Sequence, residues 1–249
     1  MTRRIIIIGA SSGIGRQVAI DFAKSGWTVG IAARRESNLK EVADSVPGKI
    51  VYKAIDVTAD DSDEQFRELI AKTGGMDYLL FASGIGYLDA GLDSNKVVST
   101  MRVNGEGFAR IMVAAYKYFS EHNDSNRRGQ ICAITSIAGT KGIGVSAAYS
   151  ASKRFEQTFI DALEQLAHTQ NVNVGFTDIR PGFIRTDLLD PNRKYPMEMT
   201  LDYAVKKIEK AILRRRRVAI IDLRWRVAVA LWRLLPQCVW RYIKLSKRI

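Results

Sequence analysis

Two cysteines and two histidines are all that this 249-residue chain offers as soft metal ligands. A disulfide scaffold and any four-thiolate site are therefore excluded. His122 and His168 lie far apart in the sequence, which leaves no structural zinc set; both are expected at solvated helix ends, and no metal is expected. Long apolar runs are missing as well. Arg3-Arg4 followed by Ile5–Ile8 imitates the start of a secretory signal, but the run stops after four residues at Gly9. Near the C-terminus the longest central uncharged run is Val227–Trp232, against the roughly 18–20 residues a spanning helix needs. Sparse cysteine without an export segment gives the expectation of a reducing, cytoplasmic location. Repeats and low-complexity linkers are also lacking.

Acidic residues are scarce where basic ones gather. Of the net charge of +12, the segment from Arg214 onward carries +10, with eleven Lys or Arg and the single acid Asp222. The body before it is near neutral. Its apolar fraction of 47% and charged fraction of 26% supply an ample core and exclude disorder as the main state.

What is present is a regular alternation. Short apolar runs at 4–9, 27–33, 49–56, 76–82, 130–136, 172–179 and 218–221 read as strands, and amphipathic stretches at 13–25, 36–46, 60–72, 94–120, 147–168 and 201–213 read as helices. Strands so continuously apolar are buried on both faces, as in a parallel sheet. The fold expected is therefore α/β: one doubly wound parallel sheet of about seven strands with helices on both faces, Rossmann-like, spanning 1–222. Residues 223–249 are expected to form a basic amphipathic helical extension of the same domain. Such a sheet holds its ligand at the carboxyl ends of its strands. There the chain puts Gly9-Ala10-Ser11-Ser12-Gly13-Ile14-Gly15, Ser83-Gly84, Ser136 and Arg180-Pro181-Gly182.

The Gly-rich turn follows a strand and opens a helix, the context in which glycines let a backbone approach a pyrophosphate at a helix N-terminus. Together with Asn104, Ser136, Tyr149-x-x-x-Lys153 and Pro181-Gly182 in this order, it resembles the short-chain dehydrogenase/reductase (SDR) family over about residues 4–221. The resemblance implies an NADP(H)-type site. Gly9, Ser11, Ser12, Gly13, Ile14 and Gly15 would cradle the phosphates, and Gly84 would allow close backbone approach. Asp56 and Val57 would meet the adenine, although Asp56 equally suits a helix N-cap. Pro181, Gly182, Ile184 and Thr186 would meet the nicotinamide. Ala33 stands where NAD-preferring relatives put an acid, while Arg16, Arg34 and Arg35 offer guanidinium to a 2′-phosphate, hence the expectation of NADP(H). The usual Asn pair after the fourth strand is replaced by Ala82-Ser83.

Tyr149 and Lys153 share one helix face. A phenol with a pKa near ~10 exchanges an alcohol proton more readily beside an ammonium. The resemblance makes Ser136 the partner of the substrate oxygen, Asn104 the support of the proton relay, and Tyr149 and Lys153 contacts of the cofactor as well, Lys153 holding its ribose. A second match, Tyr203-x-x-x-Lys207, has no strand end thirteen residues before it and is expected to be an ordinary amphipathic helix with its Tyr packed. The function expected is interconversion of a carbonyl and a secondary alcohol. A nucleotide-binding regulatory or membrane-associated scaffold of the same fold, without turnover, is the alternative.

Residues 187–199 mix Leu188, Leu189, Tyr195, Met197 and Met199 with charges, as in an apolar, partly lidded pocket for a small-molecule, even lipid-like, substrate. In the tail, Trp225, Val229, Trp232 and Leu235 fall at helical spacing, beside a rough basic stripe of Arg226, Arg233, Arg241, Lys244 and Arg248, and Pro236 divides two helices. Reversible contact with an anionic membrane surface, or packing on the body or on another subunit, are both open. Nucleic acid is not expected, since charge is the only feature in its favour. The family resemblance implies a homo-oligomer, dimer or tetramer.

Overall fold

A computed structural model describes residues 2–124 and 126–244. Seven parallel strands form one sheet: β1 (Arg4–Ile8), β2 (Thr28–Ala33), β3 (Ile50–Ala54), β4 (Tyr78–Phe81), β5 (Gly129–Ile134), β6 (Val174–Arg180) and β7 (Val218–Ile220). Their order is β3-β2-β1-β4-β5-β6-β7, so the direction of winding reverses between β1 and β4. The helices are α1 (Gly13–Lys24), α2 (Glu36–Asp44), α3 (Ser62–Lys72), α4 (Ser94–Met101), α5 (Phe108–Glu121), α6 (Ala147–Thr169), α7 (Leu201–Leu213), α8 (Leu223–Leu234) and α9 (Gln237–Trp240). Strand and helix positions otherwise follow the sequence reading, with ends shifted by one or two residues.

The period of two in a strand assigns the two faces. In β1, Ile5 and Ile7 join a core with Val18 of α1, Leu39 of α2 and Ile208 of α7. Ile6 and Ile8 turn to the opposite face, against Phe66 of α3, Ile111 of α5 and Ile160 of α6. Each such buried side chain contributes about 1.5–3 kcal/mol of transfer free energy, and a strand like β1 is secured from both sides.

Two segments depart from the expected pattern. The single helix read over 94–120 is instead α4 and α5 joined by a π-helical stretch, Arg102–Gly107. That wide turn holds Asn104 and lets Gly107 lie against Val57, where a Cβ would approach the Val57 side chain to 2.6 Å. The second is the tail. Pro236 does separate two helices, but Trp225 and Val229 are buried in the core and Trp232 packs on it. Lys141 Nζ donates to the Leu235 carbonyl at 2.9 Å and Trp240 Nε1 to the Gly142 carbonyl at 2.8 Å. The stripe that the sequence offered as membrane-facing is therefore turned inward. Arg248 of the basic stripe lies outside the described residues.

Candidate active site

The carboxyl ends of the strands surround a cavity of about 1220 Å³. At one end is the turn between β1 and α1. Gly9 has φ +88°, and a Cβ there would approach the Ser83 backbone nitrogen to 2.5 Å; a Cβ on Gly15 would collide with the Gly9 carbonyl. Glycine is thus required for β1, α1 and the β4 loop to meet this closely. Ser12, the N-cap of α1, makes no side-chain cap, so the first-turn N–H groups remain available to an anion. Gly9, Ser11, Ser12, Gly13, Ile14 and Gly15 all line the cavity.

Next to this turn, Ala33, Arg34 and Arg35 line the cavity at the end of β2. Arg35 donates to the Ser11 and Ser12 hydroxyls at 3.2 and 3.4 Å. Arg16, grouped with these by the sequence, instead pairs with Glu41 of α2 at 2.7 Å and is not part of the lining. Asp56 and Val57 line the cavity after β3. Asp56 accepts from the Thr58 amide and hydroxyl at 3.0 and 2.8 Å, whereas the N-cap of α3 is Asp61, so the capping role left open for Asp56 falls away.

At the other end, Ser136, Tyr149 and Lys153 line the same cavity. Ser136 follows β5; its Oγ accepts from the Ala138 amide at 3.0 Å, and its carbonyl accepts from Gln157 Nε2 at 2.7 Å. Tyr149 and Lys153 occupy the first two turns of α6, with Lys153 Nζ 5.6 Å from the Tyr149 ring centroid. Gly86 lies flat on that ring, where a Cβ would come within 2.5 Å. The Lys153 ammonium, 3% exposed, donates to the Ile134 carbonyl at 3.2 Å and to both Glu156 oxygens at 2.9 Å. Burial alone would depress it, but Glu156, Tyr149 and Asp178 outweigh that and hold it above the usual lysine range.

Asn104 sits one layer behind. It is fully buried, outside the lining, and its amide is spent on the Ile85 backbone, accepting from N at 2.9 Å and donating to O at 2.7 Å, and on Ser152 Oγ at 3.0 Å. It pins the β4 loop to α6. Pro181, Gly182, Ile184 and Thr186 close the cavity after β6, as Gly84 does after β4. A Cβ on Gly182 would collide with Trp225 Nε1, an indole nitrogen without a hydrogen-bond partner.

Several lining or supporting residues were not singled out from sequence: Ile85–Leu88, Phe183, Gln157, Glu156 and, as pocket residues, Trp225 and Trp232. The i, i+3 spacing of Lys153 and Glu156 was a readable signal; the inward turn of α8 was not. Tyr203 corrects a further expectation, being 42% exposed rather than packed, with Lys207 5.3 Å over its ring and neither lining the cavity.

A family described as short chain dehydrogenase matches residues 3–196. An "Uncharacterized oxidoreductase" of Myxococcus xanthus (strain DK1622) is 32% identical over 239 residues, covering 91% of this chain and 89% of the relative. Among solved structures, a 3-ketoacyl-(acyl-carrier-protein) reductase of Brucella melitensis complexed with NADH superposes with TM-score 0.78 at 21% identity, over 88% of this chain and 95% of that one. ElxO with NADP bound does so with TM-score 0.76 at 22% identity, over 89% and 98%. With the sheet order and the Gly-rich turn already in place, these matches settle the assignment: the chain belongs to the short-chain dehydrogenase family of oxidoreductases.

Proposed function

We propose that the chain is an NADP(H)-dependent oxidoreductase that interconverts a carbonyl and a secondary alcohol, with Tyr149 exchanging the proton. The observation that carries this reading is that Ser136, Tyr149 and Lys153 face the same cavity as the Gly-rich turn. The residues fit a dinucleotide. The first turn of α1 carries no side-chain cap, and Gly13 stands beside Thr186, whose Cγ2 a Cβ would meet at 3.5 Å, so the anion-binding turn adjoins the β6 loop in one cavity lining. Solved neighbours are complexed with NADH or with NADP.

Gly9 to Gly15 would hold the pyrophosphate, Arg34 and Arg35 the 2′-phosphate, Asp56 and Val57 the adenine, and Pro181 to Thr186 the nicotinamide. When bound, the nicotinamide supplies or takes the hydride. Ser136 Oγ orients the substrate oxygen, Tyr149 gives or takes its proton, Lys153 stabilises the phenolate, and Asn104 holds the loop and helix that frame them. Phe183 links Tyr195 at 4.9 Å to Trp225 at 5.8 Å, and Trp225 meets Trp232 at 6.2 Å. This aromatic wall supports a bulky apolar, lipid-like substrate. A screen of carbonyl compounds with NADPH consumption as readout tests the function. Binding of NADPH without turnover of any class would favour the regulatory or scaffold reading instead.

The tail supports peripheral contact with the cytoplasmic face of an anionic membrane, through a different face from the one the sequence marked. Leu223, Val227, Leu231 and Leu234 form one exposed row, the last 78% accessible, beside Arg224, Arg226 and Arg233. Ile243 and Lys244 line the cavity mouth close by. Among the described residues no helix is long and apolar enough to cross a membrane. The body and tail, 1–222 and 223–249, act as one domain in this reading. Exposed Val113, Phe155 and Leu166 on α5 and α6 support assembly with further copies. Co-sedimentation with anionic vesicles is expected at low salt and to fade by 1 M, as the screening length falls from about 10 Å at 0.1 M to about 3 Å. Leu231→Glu with Leu234→Glu is expected to weaken it by about tenfold or more. No binding to anionic vesicles at low salt would overturn the contact.

A further inference from the structure

Glu156 has no part in the roles assigned above, yet it holds the lysine on which they depend. It is 0% exposed, and both of its oxygens accept from Lys153 Nζ at 2.9 Å. Together with the Ile134 carbonyl, this gives the ammonium three protein acceptors, as many as it has protons. A carboxylate in an apolar interior is costly unless paired, so the pair is not a packing accident; either partner alone would be an uncompensated buried charge.

Lys153 lines the cavity, whereas Glu156 behind it is enclosed by protein. Asp178 of β6 is the other carboxylate facing this pair. It is itself satisfied by the Thr135 hydroxyl at 2.5 Å and by Arg180 Nε at 2.7 Å. Tyr149 is the remaining titratable group that faces the ammonium, on the same helix. With Glu156 ionised, Lys153 and Arg180 are balanced by Glu156 and Asp178, and the buried cluster is neutral. Without the Glu156 charge it would be positive beside the Tyr149 phenol.

We propose that Glu156 is a positioning residue whose carboxylate anchors Lys153 and offsets its charge, so that the ammonium favours a Tyr149 phenolate less than a bare one would and the site leans toward carbonyl reduction. Reduction requires the tyrosine as acid; alcohol oxidation requires it as base. An ammonium whose field is offset by a carboxylate at 2.9 Å stabilises a phenolate less than a bare one does. Burial pushes the Glu156 carboxyl up to about 7 against the opposing pull of Lys153, with Asp178 adding to the rise. It is therefore charged in the alkaline range where a phenol ionises. This inference rests on the reading of Tyr149 as the proton donor and adds a preferred direction to it.

Glu156→Gln keeps the size and one acceptor while removing the charge. The test compares the phenolate absorbance of the full-length chain, with and without Tyr149→Phe, in the native and Glu156→Gln backgrounds. The Tyr149 signal is expected to grow in about one pH unit lower in Glu156→Gln, the low end of the range for a neighbouring charge. Wherever a turned-over substrate is found, the alcohol-oxidation profile should move down by the same amount and reduction should fade at lower pH, with NADPH affinity changed less than threefold. Glu156→Asp should restore part of the native profile. Unchanged Tyr149 titration in a folded Glu156→Gln chain would overturn the proposal. So would failure of both Glu156→Gln and Glu156→Leu to fold while Lys153→Met with Glu156→Leu folds, because the carboxylate would then serve only to neutralise the lysine. The titration needs no substrate, so absence of turnover would count against the proposed function without touching this result.

Discussion

Tyr149→Phe is expected to lower kcat by a factor of about 10³ or more, within the range for losing a positioned proton donor, while changing NADPH affinity less than threefold. The substitution removes one oxygen. The ring keeps its seat against Gly86, whose Cα position leaves no room for a Cβ, so the cavity wall is preserved. Lys153→Ala should behave differently. It leaves Glu156 buried with no ammonium in contact, and breaking a buried pair on one side costs about 3–5 kcal/mol. Both turnover and thermal stability should fall, the stability loss being partly recovered by adding Glu156→Leu. Tyr203→Phe is the matched control: the same residue type in the same x-x-x-Lys setting, but exposed and outside the cavity. It should leave kcat within twofold. Steady-state rates and cofactor titrations on the three variants check the pattern. A Tyr149→Phe enzyme that retained most of its activity would remove the phenol from the proton path.

The central strands β1 and β4 were legible because they are apolar on both faces, and burial between two helical layers permits few other residues there. The Gly-rich turn was legible because close backbone approach admits few residue types, and the shared face of Tyr149 and Lys153 because their spacing is that of a helix turn. What could not be read depended on contacts distant in sequence. The π-helical stretch at 102–107 arises where Gly107 settles on Val57, fifty residues away. The tail carries two apolar rows, and sequence spacing made the one with Trp225 and Trp232 conspicuous. Which row faces the body is decided by the Pro181-Gly182 turn, where only a glycine admits the Trp225 indole. The pairing of Arg16 was hidden for a similar reason: Glu41 lies on the neighbouring helix and meets it at 2.7 Å. Only the fold brings α1 and α2 together.

The Arg16–Glu41 pair bears on which guanidiniums would meet the 2′-phosphate of the proposed cofactor. NADPH is expected to bind at least tenfold more tightly than NADH, because Ala33 gives a ribose 2′-hydroxyl no acceptor while Arg34 and Arg35 stand at the cavity edge. Arg35 is partly tethered already by Ser11 and Ser12, so less ordering is required to meet a phosphate. A hydrogen bond to a charged group contributes about 1.5–3 kcal/mol, so Arg34→Ala and Arg35→Ala should each weaken NADPH by roughly 10–100-fold, with NADH changed less than threefold. Arg16→Ala should alter neither, since its guanidinium is committed to Glu41. Ala33→Asp should act from the other side, repelling the 2′-phosphate and accepting from the 2′-hydroxyl, and should bring the two affinities together or reverse their order. Fluorescence titration of both nucleotides against the native chain and these four variants gives the dissociation constants. Equal native affinities would refute the preference. A loss on Arg16→Ala matching that on Arg34→Ala would mean that Glu41 releases Arg16 to the ligand, and would return Arg16 to the phosphate site.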